Sequence, residues 1–212
     1  MMVLSYPDGR ISRMDIPPES FGSDVRRCAM IIDEFDLEVA ACVTVVCHPD
    51  IIAVALAYNA NPADAPCIDD PARTEDYMAD GVPFGTVLAG RIGQATVLVE
   101  PNGFGGTVPG ALQAMSRLGR TASVFWNVNA VSKLSLAEDG VLLSGFELLG
   151  PEMRWGEQPQ AWGRYLDGLT LGIDGSPYLC PTGLVAVERA SSTRLSAAWF
   201  RRPDNLVMPV TY

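Results

Sequence analysis

A chain of 212 residues that is 48% hydrophobic and 19% charged can bury one sizeable core and is too apolar to be a disordered segment. Its formal net charge of −10 argues against binding a nucleic-acid backbone or an anionic membrane surface, because both need clusters of Lys and Arg. An acidic balance of that size fits plain solubility or a basic protein partner.

From the start of the chain, residues 3–6 and 11–16 flank Pro7-Asp8-Gly9 and read as a hairpin, so that residues 1–17 are an addition to the domain. Asp8, Arg10 and Arg13 arrive before any apolar run, so no secretory leader is expected. A helix follows up to Phe35, capped by Ser23 or Asp24, with Val25, Cys28, Ala29, Ile32 and Phe35 on one face. Residues 40–47 are an uninterrupted apolar run with Val43, Val45 and Val46, which suits a central strand buried on both sides. Pro49 and Asp50 open a helix over 51–58, and Asn59, Asn61 and Pro62 end it. The apolar pieces on either side of His48 are too short to span a membrane. A cytoplasmic location is therefore expected. Residues 61–83, rich in Pro and Asp, read as loop.

The order of signals is clearest over residues 87–148. Strands are expected at 87–92 and 95–99, and Asn102, Gly103, Phe104, Gly105 and Gly106 stop the second. Thr107 or Val108 opens a helix with Pro109 in its first turn and Ala111, Leu112, Met115 and Leu118 on one face, closed by Gly119 from the C′ position. Residues 121–128 form the next strand, and 131–136 and 141–148 flank a hairpin turn at Glu138-Asp139-Gly140. Beyond it come a loop at 150–158, a short helix at 161–166, a glycine-punctuated loop with room for a strand at 169–173, and helices at 181–190 and 195–200. Residues 203–212, with two prolines, read as a tail. The expectation is a single α+β domain with a mostly antiparallel sheet, helices packed on one face and a C-terminal helical segment.

The glycines before a helix invite a phosphate-loop reading. No Lys precedes Lys133, however, and Val108 stands where a dinucleotide fingerprint needs glycine, so a strand-to-helix turn is the simpler reading. His48 is the only histidine, and its neighbour Cys47 points to the other side of an extended chain, which disfavours a Cys–His pair. Cys28, Cys42, Cys47, Cys67 and Cys180 lack both zinc spacing and a disulfide framework, so reduced thiols are expected and neither a metal nor any other cofactor. Asp33, Glu34, Asp36 and Glu38, and the acids of the 61–83 loop, form either a solvated face or carboxylates able to hold a cation. Trp126 belongs to a strand and a core. Trp155 sits in a loop, where an aromatic either covers a sheet or anchors a partner.

Through VTVV at 43–46, VLVEPNGFGG at 97–106, SVFWNVNAVSKLSLAEDG at 123–140 and MRWG at 153–156, with a weaker echo at 185–196, the chain resembles a family of uncharacterised proteins frequent in actinobacteria, a domain of unknown function. Pro101 departs from an acidic position in the family pattern, and Asn127-Val128-Asn129 agrees with it. The resemblance implies a fold and a bacterial cytoplasmic origin, and no chemistry. With no complete catalytic set in view, the sequence reads as an acidic binding protein that neutralises or regulates a protein partner, the alternative being a metal-assisted hydrolase or transferase using loop carboxylates. The expected interaction surface comprises Asn102, Phe104, Asn127, Asn129, Arg154 and Trp155. Asn102 and Asn127 equally suit turns in which the side chain satisfies backbone groups, and Phe104 equally suits the core.

Overall fold

The computed structural model describes residues 17–64 and 85–211. The expected hairpin before Pro17 and most of the acidic loop lie outside the described residues. Seven strands form one sheet in the order β6-β5-β4-β1-β3-β2-β7, with every neighbouring pair antiparallel. They are β1 (Ala41–Val46), β2 (Thr86–Ile92), β3 (Ala95–Pro101), β4 (Thr121–Trp126), β5 (Ser132–Glu138), β6 (Val141–Glu147) and β7 (Leu206–Pro209). With helices α1 (Gly22–Glu34), α2 (Ile51–Ala57), α3 (Pro109–Ser116), α4 (Leu179–Ser191) and α5 (Ala197–Phe200), the fold is α+β, antiparallel in its sheet and helical near its C-terminal end.

β1 lies at the centre, and all six of its residues are buried. Alternation along the strand sends Ala41, Val43 and Val45 into one core with Val25, Cys28 and Ile32 of α1 and Leu184 and Val187 of α4. Val46 faces a second core, built with Val54 and Ala55 of α2 and Ala111, Leu112 and Met115 of α3. The helices thus divide between both faces, where a single covered face was expected. A strand covered on both sides has no reason to alternate in polarity, which is why residues 40–47 read as one apolar run.

β3 and β4 both run antiparallel to β1, so they are parallel to each other, and the connection between them must cross β1. The glycine loop and α3 make that crossing. Pro109 occupies the first turn of α3, where no N–H is needed. The helix ends one turn before Gly119, whose φ is not left-handed. That glycine is required because a Cβ there would stand 2.4 Å from the Cys47 carbonyl oxygen. Asp139 (φ 52°) and Gly140 (φ 79°) form the two-residue turn expected between β5 and β6. Both amides of the turn dock on the end of α3, Asp139 N donating to Ser116 O and Gly140 N to Ser116 Oγ, each at 3.0 Å.

Other boundaries differ from the expectation. α1 starts at Gly22 with Phe21 as its cap residue, so Ser23 and Asp24 lie in its first turn and do not cap it. Asp24 instead meets Arg194 at 2.9 Å and complements the helix dipole. Residues 161–166 contain only a 3-10 turn at Gly163–Tyr165, and 169–173 hold no strand. Residues 203–212 contain β7, which pairs with β2 and buries Val207 and Met208. Its proline sits on the sheet edge, where a missing ladder donor is tolerated.

Candidate functional site

Beneath the glycine loop lies a buried polar cluster contributed by three strands and by Tyr58, the residue that follows α2. Register puts Glu100 opposite Cys42, Cys42 opposite Phe125, Phe125 opposite Lys133 and Lys133 opposite Glu147, so these five residues form a row across one face of the sheet. The next row on that face runs Leu98, Thr44, Ser123, Ser135 and Gly145. Glu100 is fully buried. Its Oε2 accepts from the Tyr58 hydroxyl at 2.8 Å and from Gly105 N at 2.8 Å, and Tyr58 in turn accepts from Gly106 N at 3.1 Å. Oε1 has no hydrogen-bond partner among the described residues. Burial pushes the Glu100 carboxyl above its ordinary range, against the opposing pull of the Gly105 amide and the Tyr58 hydroxyl.

Each glycine of the loop is dictated by this cluster. A Cβ on Gly103 would lie 2.0 Å from the Glu100 carboxyl carbon, and one on Gly105 2.7 Å from the Tyr58 ring. One on Gly106 would lie 2.0 Å from Thr44 Oγ1 and 2.5 Å from Ser123 Oγ. The amides of Gly105 and Gly106 donate inward, to the Glu100 carboxyl and to the Tyr58 hydroxyl respectively. The loop is therefore the strand-to-helix turn of the simpler reading, with an internal acid where a phosphate would sit. Cys42 contacts Ser123 Oγ at 3.5 Å, and burial pushes its thiol up to about 11, which makes it a poor nucleophile.

Above the cluster, at the end of the sheet where β3, β4 and β6 finish, exposed apolar side chains are concentrated. Eight of the twelve exposed large apolar side chains among the described residues belong to the segments meeting there: Val39, Phe104, Val128, Val131, Leu149, Met153, Trp155 and Ile173. Val128 is 73% exposed, Met153 67% and Ile173 84%. Backbone hydrogen bonds tie these segments together, and the pairing of Ala41 with Trp126 links the β1–β3 side to the β4–β5 side. Asn102 N donates to Ala40 O at 2.9 Å, Asn127 N to Val131 O at 3.0 Å, Leu148 N to Ser132 O at 2.9 Å and Gly172 N to Leu148 O at 2.9 Å.

All six residues expected at an interaction surface come to this end of the sheet. Asn102 (φ 56°) turns the chain out of β3, and Phe104 is 42% exposed in the loop. Asn127 Oδ1 accepts from Asn129 N at 3.0 Å and from Val131 N at 3.3 Å, which is the backbone-satisfying role open to it from sequence. Asn129 is exposed. Arg154 donates to Pro151 O at 2.8 Å and stacks 5.0 Å from the Phe146 ring centroid. Trp155 lies over Gly145, where a Cβ would come within 2.7 Å of its ring nitrogen, while Lys133 Nζ stands 5.3 Å from the ring centroid. It covers the sheet and still exposes 38% of its surface. Lys133 and Arg154 are thus both engaged with aromatic rings, and Glu152 and Asp174 are exposed at this end.

Sequence reasoning missed Glu100 and Tyr58, 42 positions apart. The available signal was an acid closing an apolar strand just before three glycines. His48 sits half-buried beyond β1, its carbonyl accepting from Thr96 Oγ1 at 2.7 Å. Cys28, Cys42, Cys47 and Cys180 carry free thiols, with Cys47 exposed. Among the described residues no group of three or more His, Cys, Asp or Glu is arranged to hold a metal ion, and no helix is long and apolar enough to cross a membrane.

No curated protein and no solved structure matches the chain. A family model matches residues 37–178, a span that contains β1 to β6, α2, α3 and both the buried cluster and the sheet end, and leaves out α1 and α4 of the opposite face. The chain therefore belongs to a family of unknown function, DUF6461.

Proposed function

We propose that the chain is an acidic, non-catalytic binding protein that docks a basic protein partner on the apolar end of its sheet and so neutralises or regulates it. The observation that carries this reading is the concentration of exposed apolar side chains, aromatic ones included, on segments that hydrogen bond to one another at one sheet end. Exposed apolar side chains gathered at one place often mark an interaction site, and aromatic anchors supply much of the energy of protein interfaces. A basic partner is the reading favoured by the overall −10 and by the exposed Glu152 and Asp174 beside the patch.

Capture from a lysate of the native cell tests the reading. The wild-type chain and an Ile52→Glu/Leu56→Glu control, altered on exposed apolar positions of α2, should retain the same basic protein. A Val128→Glu/Met153→Glu variant should lose it, and raising the salt should weaken capture. Equal retention by all three would remove the sheet end as the docking surface.

A further inference from the structure

We infer that Glu100 and Tyr58 are positioning residues for this surface: from inside the core they pin the glycine loop so that Phe104 stands in one place outside it. The inference rests on the docking reading above. Phe104 lies between Gly103 and Gly105, and glycine neighbours on both sides would leave its backbone free to sample many conformations. The structure removes that freedom from below and from the side. Gly105 N is held by Glu100 Oε2 at 2.8 Å and Gly106 N by the Tyr58 hydroxyl at 3.1 Å. The Phe104 carbonyl accepts from both Thr107 N and Thr107 Oγ1 at 2.8 Å. Gly103 lies directly against the Glu100 carboxyl, so the loop cannot sink further. A large aromatic held this way is ordered before a partner arrives, and the partner does not have to order it.

The test is chymotrypsin cleavage of the native full-length chain, followed by mass spectrometry at the Phe104–Gly105 bond, together with lysate capture. Cleavage there requires the loop to open locally, and its rate follows the open population. Glu100→Ala should raise the rate at this bond about tenfold over any rise at other bonds, whereas Glu100→Gln, which keeps an acceptor oxygen, should stay within about threefold of wild type. Tyr58→Phe, which removes the hydroxyl that accepts from Gly106 N and keeps the ring, should raise the same rate and serves if Glu100→Ala does not fold. Unchanged cleavage in Glu100→Ala and Tyr58→Phe, or an equal rise at every bond, overturns the inference. If cleavage behaves as described but Phe104→Ala keeps full capture, the pin stands and the docking role of Phe104 falls.

Discussion

Replacing Gly106 by Ala places one methyl group where the fold has no room. Its carbon would stand 2.0 Å from Thr44 Oγ1, 2.5 Å from Ser123 Oγ and 2.7 Å from Cys42 Sγ. All three are short side chains on the central strands β1 and β4, each at most 1% exposed, and none can swing clear as the end of a long side chain would. Relief must come from lifting the loop, which also lengthens the bonds from Gly105 to Glu100 and from Gly106 to Tyr58. Overpacking of this kind costs about 2–3 kcal/mol, which for a chain of this length lowers the melting temperature by about 5–10 °C. Gly110 is the internal control. A Cβ there meets nothing within 4 Å, and the residue lies in the first turn of α3, so Gly110→Ala should stabilise by up to about 1 kcal/mol. Urea titrations of the two variants beside wild type give both signs in one assay. Equal midpoints for Gly106→Ala and wild type would mean that the loop does not lie against Thr44 and Ser123.

Glu100 gives a pH signature. Its carboxyl is raised above 4.5 in the folded chain, so the folded state holds the proton more tightly, and stability falls as pH rises from the unfolded value through the folded one. Glu100→Gln carries no such loss, so the variant should gain on wild type across that window, by about 1.4 kcal/mol for each unit by which the folded pKa exceeds the unfolded. Paired urea titrations between pH 4 and pH 8, in which other groups cancel, should show the gap moving in the variant's favour, and a constant gap would contradict the assignment. At the β5–β6 turn, Gly140→Val forces a β-branched residue to φ near 79° and should cost about 1 kcal/mol or more. An unchanged melting temperature would count against that turn.

How much of this was legible in the sequence varies by element for physical reasons. β3, α3, β4 and the β5–β6 hairpin announce themselves because alternation, Pro109 and Asp139-Gly140 are local signals that survive without tertiary help. β7 does not, since four residues ending in proline become a strand only by pairing with β2. Gly119 looks like a helix terminator, and its necessity comes instead from the Cys47 carbonyl just past the end of β1, far away in sequence. The division of helices over both faces was implicit in the apolar run of β1, yet which helix takes which face depends on long-range packing. At the sheet end, the six expected residues are loop residues bearing aromatic or amide groups, and strand order gathers them. Leu149, Met153 and Ile173 do not stand out in the sequence because a single exposed apolar residue carries no message until its neighbours are known.

The most direct measurement of the central claim is photo-crosslinking in the native cell with a reactive side chain built in at position 128 and, separately, at position 56. Both replaced residues are exposed and apolar, but only Val128 belongs to the sheet end. One discrete adduct to a basic protein is expected from position 128, and none of the same kind from position 56. No adduct from position 128, or the same adducts from both positions, would contradict the docking reading.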